Sequence, residues 1–306
     1  MLEIKMDQKN KTRNASLMML VATICVAASF PVSKSLMQYI SAELALCIRF
    51  VISSALFYIF IQLKGLSVSI IPQRWKAYLF VSSFYAMFFI STFEALKLTS
   101  AFNTSVIYTL MPSVSLLIAW FTFKDTKLKH YIVPLILSTL ASMVVVTQGK
   151  LSFFDILKIV NMGDLIFLLG TICMACFFNV TKKYTSGEPP LVSTFYILLG
   201  NTVWMFLYLL LSPEKLIFNP NTIVVVELIF LVLFCTVFTF FSVQYATKWI
   251  APIKISSFSY LTPICVVLIN FGFFSMEVNS IVVFSSVISI LSLFYIQWTS
   301  GEKAAQ

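Results

Sequence analysis

Charge is what this chain has least of. Only 11% of its 306 residues are Asp, Glu, Lys or Arg, where a soluble domain carries roughly 25%. A water-exposed surface cannot be covered with so little, so a cytosolic enzyme and a disordered chain are both excluded. Histidine is nearly missing: His130 stands alone at the edge of an apolar stretch and offers no catalytic or metal-binding cluster. The six cysteines all fall inside apolar stretches, which argues against a secreted disulfide scaffold. Cys173 and Cys176 make a single CxxC at helical spacing, with no second pair and no nearby histidine, and read as packing. No Walker sequence is present, so ATP hydrolysis is not expected within the chain. No catalytic residue, cofactor or metal is expected.

What fills the chain instead is hydrocarbon. Hydrophobic residues make up 59% of it and the mean hydropathy is +0.95. Ten apolar stretches follow one another, at about 17–39, 44–62, 75–96, 101–123, 131–148, 164–181, 191–211, 224–247, 251–274 and 278–298. Each is long enough to cross a bilayer as a helix, which takes about 20 residues. The first has a basic flank and small residues at Ala27, Ala28 and Ser29, but the apolar run continues past them and nine stretches follow, so an uncleaved anchor is expected. The fold class read from this pattern is an all-α membrane protein with ten transmembrane helices.

The net charge of +9 is an orientation signal rather than a nucleic-acid footprint. With the N-terminus placed in the cytoplasm, the cytoplasmic side collects Lys5, Lys9, Lys11, Arg13, Lys64, Arg74, Lys76, Lys124, Lys127, Lys129, Lys182, Lys183, Lys248 and Lys303. Only Lys97, Lys150, Lys158 and Lys215 fall outside, and Lys34, Arg49 and Lys254 within spans. Such a bias satisfies the positive-inside rule and puts both termini in the cytoplasm. Lipid and a small-molecule substrate are the expected partners, and no nucleic acid.

An internal repeat organises the chain. Thr23-Ile24-Cys25-Val26-Ala27-Ala28-Ser29-Phe30-Pro31-Val32-Ser33-Lys34 aligns without gaps to Thr171-Ile172-Cys173-Met174-Ala175-Cys176-Phe177-Phe178-Asn179-Val180-Thr181-Lys182, with seven of twelve positions identical. Ala95-Leu96-Lys97 matches Ala246-Thr247-Lys248, and Leu110-Met111-Pro112 matches Leu261-Thr262-Pro263, at a near-constant offset. The expected units are a tail at 1–15, a first five-helix repeat at 16–149, a linker at 150–163, a second repeat at 164–299 and a tail at 300–306. Five is odd, so the copies must enter the membrane with opposite orientations. Two near-equivalent inverted halves can exchange conformations and so move an opening from one face to the other. The repeat alone thus favours a carrier over a static barrier or a lipid-modifying enzyme.

The residues resemble the drug/metabolite transporter superfamily, in its EamA-type ten-helix branch. The resemblance rests on Leu46-Cys47-Ile48-Arg49-Phe50, on Phe93 through Ala101 between spans three and four, on the proline-centred spans at Pro112 and Pro263, on Gly163-Asp164, and on Asp125 and Glu277 closing spans four and nine. It covers residues 16–299. Two positions depart from the pattern: Ala28-Ser29 stand where Trp-Gly is common, and Asp125 replaces the usual Glu. The resemblance implies a secondary transporter; its members carry amino acids, sugars, cofactors and drugs. Lysine outnumbers arginine 18 to 3, a bias of AT-rich genomes often found in host-restricted bacteria. By analogy with relatives there, an amino acid or derivative is the expected cargo, with S-adenosylmethionine the named candidate. Drug or toxic-metabolite efflux is the alternative, and a channel or membrane-embedded enzyme a remoter one. A bacterial cytoplasmic (inner) membrane is the expected location.

Ionisable groups at membrane depth cost about 2.5–3.5 kcal/mol each, so each needs a reason. Lys34 falls near the outer end of span one, where it either binds an anionic group, pairs with a carboxylate, or snorkels to headgroups. Glu94 is its candidate partner, as a gate, as a static pair, or as a titrating site that couples transport to protons. Arg49 anchors to backbone carbonyls or takes a substrate carboxylate. Lys254 snorkels to the cytoplasmic interface. Span one has no Asp or Glu, unlike the small multidrug-resistance proteins, whose first helix uses a carboxylate to exchange cations for protons. Among uncharged positions, Tyr108, Gln244 and Tyr260 are assigned to the pore and Asn179 is a further candidate; Pro112 and Pro263 are expected to bend their helices. The 31 phenylalanines are read as lipid-facing and packing material.

Overall fold

A computed structural model describes residues 2–66, 74–123, 131–147, 161–185, 187–212, 216–274 and 280–299. His130, Asp125, Glu277, the linker up to residue 160 and the tail at 300–306 lie outside the described residues. The described chain is helical. The first half holds α1 (Leu2–Leu36), α2 (Ala42–Leu63), α3 (Trp75–Leu98), α4 (Ala101–Tyr108), α5 (Met111–Phe123) and α6 (Ile132–Thr147). The second holds α7 (Met162–Thr185), α8 (Pro190–Leu211), α9 (Thr222–Val232), α10 (Thr239–Trp249), α11 (Pro252–Ser257), α12 (Thr262–Phe274) and α13 (Ser280–Thr299). Counting α9 with α10 and α11 with α12 as continuous rods, seven helices among the described residues are long and apolar enough to cross a membrane, and three shorter apolar helices accompany them. Helix α1 begins at Leu2, so the expected N-terminal tail is helical and continuous with the first span.

Three spans are broken, two of them beside a proline. Pro112 has no N–H to offer the Tyr108 carbonyl, and the chain turns at 109–110 between α4 and α5. Pro263 likewise has no N–H for the Ser259 carbonyl, which accepts from the Thr262 N–H instead, and a 3₁₀ turn at Phe258–Leu261 joins α11 to α12. Between α9 and α10 lies a π-helical segment, Leu233–Phe238, which no proline or glycine marks.

The two halves run in opposite directions. Where α1 ends, the Ser41 N–H donates to the Ile217 carbonyl, Thr99 meets Asp164 at the start of α7, and Ser212 at the end of α8 meets Glu43. Where α1 begins, Lys11 lies over the Trp249 ring at the end of α10, and Lys182 at the end of α7 reaches Thr247. Helices α1 and α7 therefore start at opposite ends of the bundle. Helix α13 ends beside α11, where Lys254 and Gln297 exchange hydrogen bonds, so the chain enters and leaves at one end. The packing follows the same symmetry: α3 lies along α7 as α1 lies along α10, α2 faces α8, and α6 faces α13.

The core is made by close approach of small residues and by aromatic rings. A Cβ added to Gly170 would stand 2.7 Å from Ser91 Cβ, and one on Gly200 would stand 2.3 Å from Ser82 Oγ, so both glycines let α3 seat against the second half. Large apolar side chains face outward along the long helices, including Val51, Ile59, Leu169, Phe206 and Phe294. A surface this apolar fits lipid and not water.

Candidate functional site

Two small adjoining cavities, of about 30 and 40 Å³, lie inside the bundle where the halves meet. They share Val26 of α1, Tyr85 of α3, Tyr108 of α4 and Met174 of α7 as walls, so both repeats contribute. Around Tyr85 the rings of Phe89, Phe177 and Phe240 sit with centroids 4.8, 4.6 and 4.1 Å away. Tyr108 packs edge-on against Phe30 and tilted against Phe88. The space between the rings is narrow.

Arg49 reaches this cavity from the buried face of α2, with a relative exposure of 2%. Its Nη2 donates to the Cys235 carbonyl at 2.9 Å and its Nε to Thr236 Oγ1. Both acceptors belong to the π segment, whose widened turn presents them sideways to α2. The Thr236 hydroxyl spends its own proton on the Leu231 carbonyl, at 2.8 Å, which leaves its oxygen free to accept. The guanidinium lies over the Phe89 ring, 4.6 Å from its centroid. No carboxylate pairs with it among the described residues.

Both ends of the bundle are tied by side chains that cross from one half to the other. Where α1 ends, Ser212 Oγ donates to Glu43 Oε1 at 3.1 Å, Tyr208 donates to Glu94, and Thr99 Oγ1 donates to Asp164 Oδ1 at 2.7 Å. Lys97 stands 2.9 Å from Glu94 and 3.8 Å from Glu43. At the opposite end, Glu188 accepts from Tyr78 and lies 3.3 Å from Arg74 Nη1. Glu188 precedes the second helix of its repeat much as Glu43 begins that of the other. Lys248, the repeat partner of Lys97, interacts electrostatically with Glu188. The two end clusters are thus related by the duplication.

The residues singled out from the sequence fall in several places. Lys34 donates to the Thr99 carbonyl at 2.6 Å, and its repeat partner Lys182 to the Thr247 carbonyl, so each neutralises the carbonyl-rich end of the third helix of its own repeat. A Lys34–Glu94 ion pair is not among the contacts of the described residues, since Glu94 is held by Lys97 and Tyr208. Tyr108 lines both cavities. Tyr260 does not: it is buried against α6, its hydroxyl on the Leu135 carbonyl at 3.2 Å. Gln244 Oε1 accepts from Ser193 at 3.3 Å away from the cavity, and its Nε2 is buried without a partner. Asn179 Nδ2 bridges to Ser115 Oγ at 3.1 Å. Lys254 does not reach out to an interface; it is buried, with its ammonium on the Gln297 carbonyl.

Sequence reasoning missed Tyr85, Tyr78, Glu43, Glu188 and Tyr208, and read the phenylalanines as packing although Phe30, Phe88, Phe89 and Phe93 line the cavity. A signal for Tyr85 exists. Tyr78, Tyr85 and Thr92 recur every seven residues, two helical turns, and so form a polar-tipped stripe on one face of α3. All six cysteines are free.

An all-helical membrane bundle of two inverted repeats around an internal cavity is an architecture of transporters. Comparison with known proteins agrees. The family model of the EamA-like transporter family matches this chain twice, over residues 13–147 and 161–298, and the chain belongs to that family. It is 25% identical over 269 residues to "Uncharacterized transporter YyaM" of Bacillus subtilis (strain 168), a match covering 86% of this chain and 87% of the relative. A solved crystal structure shares the fold with a TM-score of 0.73, over 92% of this chain and 95% of its own, at 14% identity. The protein is a multi-pass membrane transporter of the drug/metabolite superfamily.

Proposed function

We propose that this protein is a secondary carrier that moves a small polar metabolite across a bacterial cytoplasmic membrane by alternating access. The observation that carries the reading is a cavity at the seam between inverted repeats, with a cluster of cross-seam contacts at each end of the bundle. Opening one cluster while the other holds would admit solute from one face only, and the duplication makes the two openings near-equivalent in energy. The aromatic walls and the buried polar groups suit a solute with one apolar or flat part and one polar part. An amino acid or derivative meets that description, with S-adenosylmethionine the named candidate. Lys11, Lys182 and Lys248 collect at the end where α1 begins, which supports a cytoplasmic location for both termini.

Purified protein in proteoliposomes tests this. Uptake of labelled amino acids and S-adenosylmethionine is expected to saturate and to accelerate when unlabelled substrate is loaded inside. Flux that rises linearly with concentration and ignores internal substrate is channel behaviour and overturns the carrier reading. Net extrusion of aromatic drugs with no amino-acid uptake would favour efflux instead.

A further inference from the structure

Arg49 is a charge without a counter-charge. It is 2% exposed, yet the contacts that hold it are a carbonyl, a hydroxyl and a ring, all neutral. No described acid lies within ion-pair distance of it: Glu43 and Glu94 sit with Lys97, Asp164 with Thr99, Glu188 with Tyr78 and Arg74, and Glu227 accepts from Ser35. The titratable groups that line the cavity beside it, Tyr85, Tyr108 and Cys235, are a phenol, a phenol and a thiol. A purely structural arginine in so apolar a place is costly to keep, because removing a guanidinium from water is repaid only when its remaining donors and its charge are satisfied. Two of its N–H groups are engaged by the π segment, which holds the planar fork in place at the cavity wall. A fixed fork of this kind matches a carboxylate in two-point geometry.

We infer that Arg49 is the anion anchor of the transport site, and that the substrate class is a solute with a carboxylate at one end and an apolar or aromatic body at the other. Once the packed rings of Phe30, Phe88 and Tyr108 part, the body lies among them while the carboxylate meets Arg49, so one end of the solute is fixed by charge and the other by shape. This rests on the carrier reading for its biological meaning, but the binding claim stands by itself. The Phe89 ring under the guanidinium keeps water off its other face, which strengthens the attraction to an incoming anion.

The test is equilibrium binding to the intact protein in lipid nanodiscs, read by quenching of intrinsic tryptophan fluorescence. The probes are L-phenylalanine, L-leucine and L-methionine, each set against its own amide, which has the same body and no carboxylate. Wild-type protein is expected to bind at least one acid about tenfold more tightly than its amide. In Arg49→Met that preference is expected to vanish, and in Arg49→Lys to persist in weaker form. If no acid outbinds its amide on wild-type protein, or if Arg49→Met keeps the preference, the inference is overturned. The wild-type comparison decides the question even if the Met variant fails to fold. Saturable, trans-stimulated uptake of a solute lacking any anionic group would sink the anchor and leave the carrier intact.

Discussion

Removing the carboxylate of Glu188 is the sharpest perturbation of the proposed cycle. Glu188 ties the start of the second half's α8 region to Tyr78 and Arg74 of α3 in the first half, and its side chain is only 6% exposed. The phenol-to-carboxylate bond is the main contributor, since a hydrogen bond to a charged group is worth about 1.5–3 kcal/mol. Arg74 is 57% exposed, so solvent screens its contribution to a few tenths of a kcal/mol. A loss of about 2 kcal/mol in the closed state alone shifts the open-to-closed ratio at that end about thirtyfold. Glu188→Ala is expected to open that end, and Glu188→Gln, which keeps an acceptor for Tyr78, to open it less. Maleimide labelling of Ser193→Cys, a buried position on the same side, reads the opening, with site-resolved mass spectrometry separating it from the native cysteines. The labelling rate should rise by an order of magnitude in the Ala variant while sites near Glu43 stay protected. Unchanged labelling at position 193 would refute the latch and, with it, the assignment of Glu188 to a gate.

Other consequences follow from single contacts. Lys34→Ala and Lys182→Ala remove equivalent caps and should each lower stability by about 1–2 kcal/mol, measured by thermal unfolding in detergent; a large loss from one and none from the other contradicts the shared role. Asp164→Ala breaks a reciprocal cap, in which the Asn161 side chain accepts from the Asp164 N–H at 3.0 Å and Asp164 accepts from the Asn161 N–H at 3.1 Å, and also frees Thr99. It should cost about 2 kcal/mol in the same assay, and Asp164→Asn distinctly less. Gly170→Ala drives a methyl into Ser91 and should destabilise by about 1–3 kcal/mol, with Ser91→Gly restoring part of the loss. Pro112→Ala returns the missing donor to the Tyr108 carbonyl; the protein is expected to melt higher and transport more slowly, and faster uptake would contradict a hinge at 109–110.

The class of solvent, the helical content and the inverted duplication are all legible in the order of residues. Each of these rests on a property that one span or one aligned pair displays locally: length of apolar run, and the matched segments ending at Lys34 and Lys182. Proline breaks at Pro112 and Pro263 were legible for the same reason, because the lost donor is a fact of the residue itself. Which polar groups meet is settled by packing between distant helices. The sequence makes Glu94 the candidate partner of Lys34 because both tend to one end, yet the Thr99 carbonyl takes the ammonium and Lys97, one turn along α3, takes the carboxylate. Tyr108 and Tyr260 looked equivalent beside their prolines, but Tyr108 stands four residues before Pro112 and Tyr260 three before Pro263. One residue turns a helix by about 100°, enough to send one ring into the cavity and the other against α6. The site at Arg49 depended on a π turn nearly two hundred residues away in sequence, and no local pattern records such a contact.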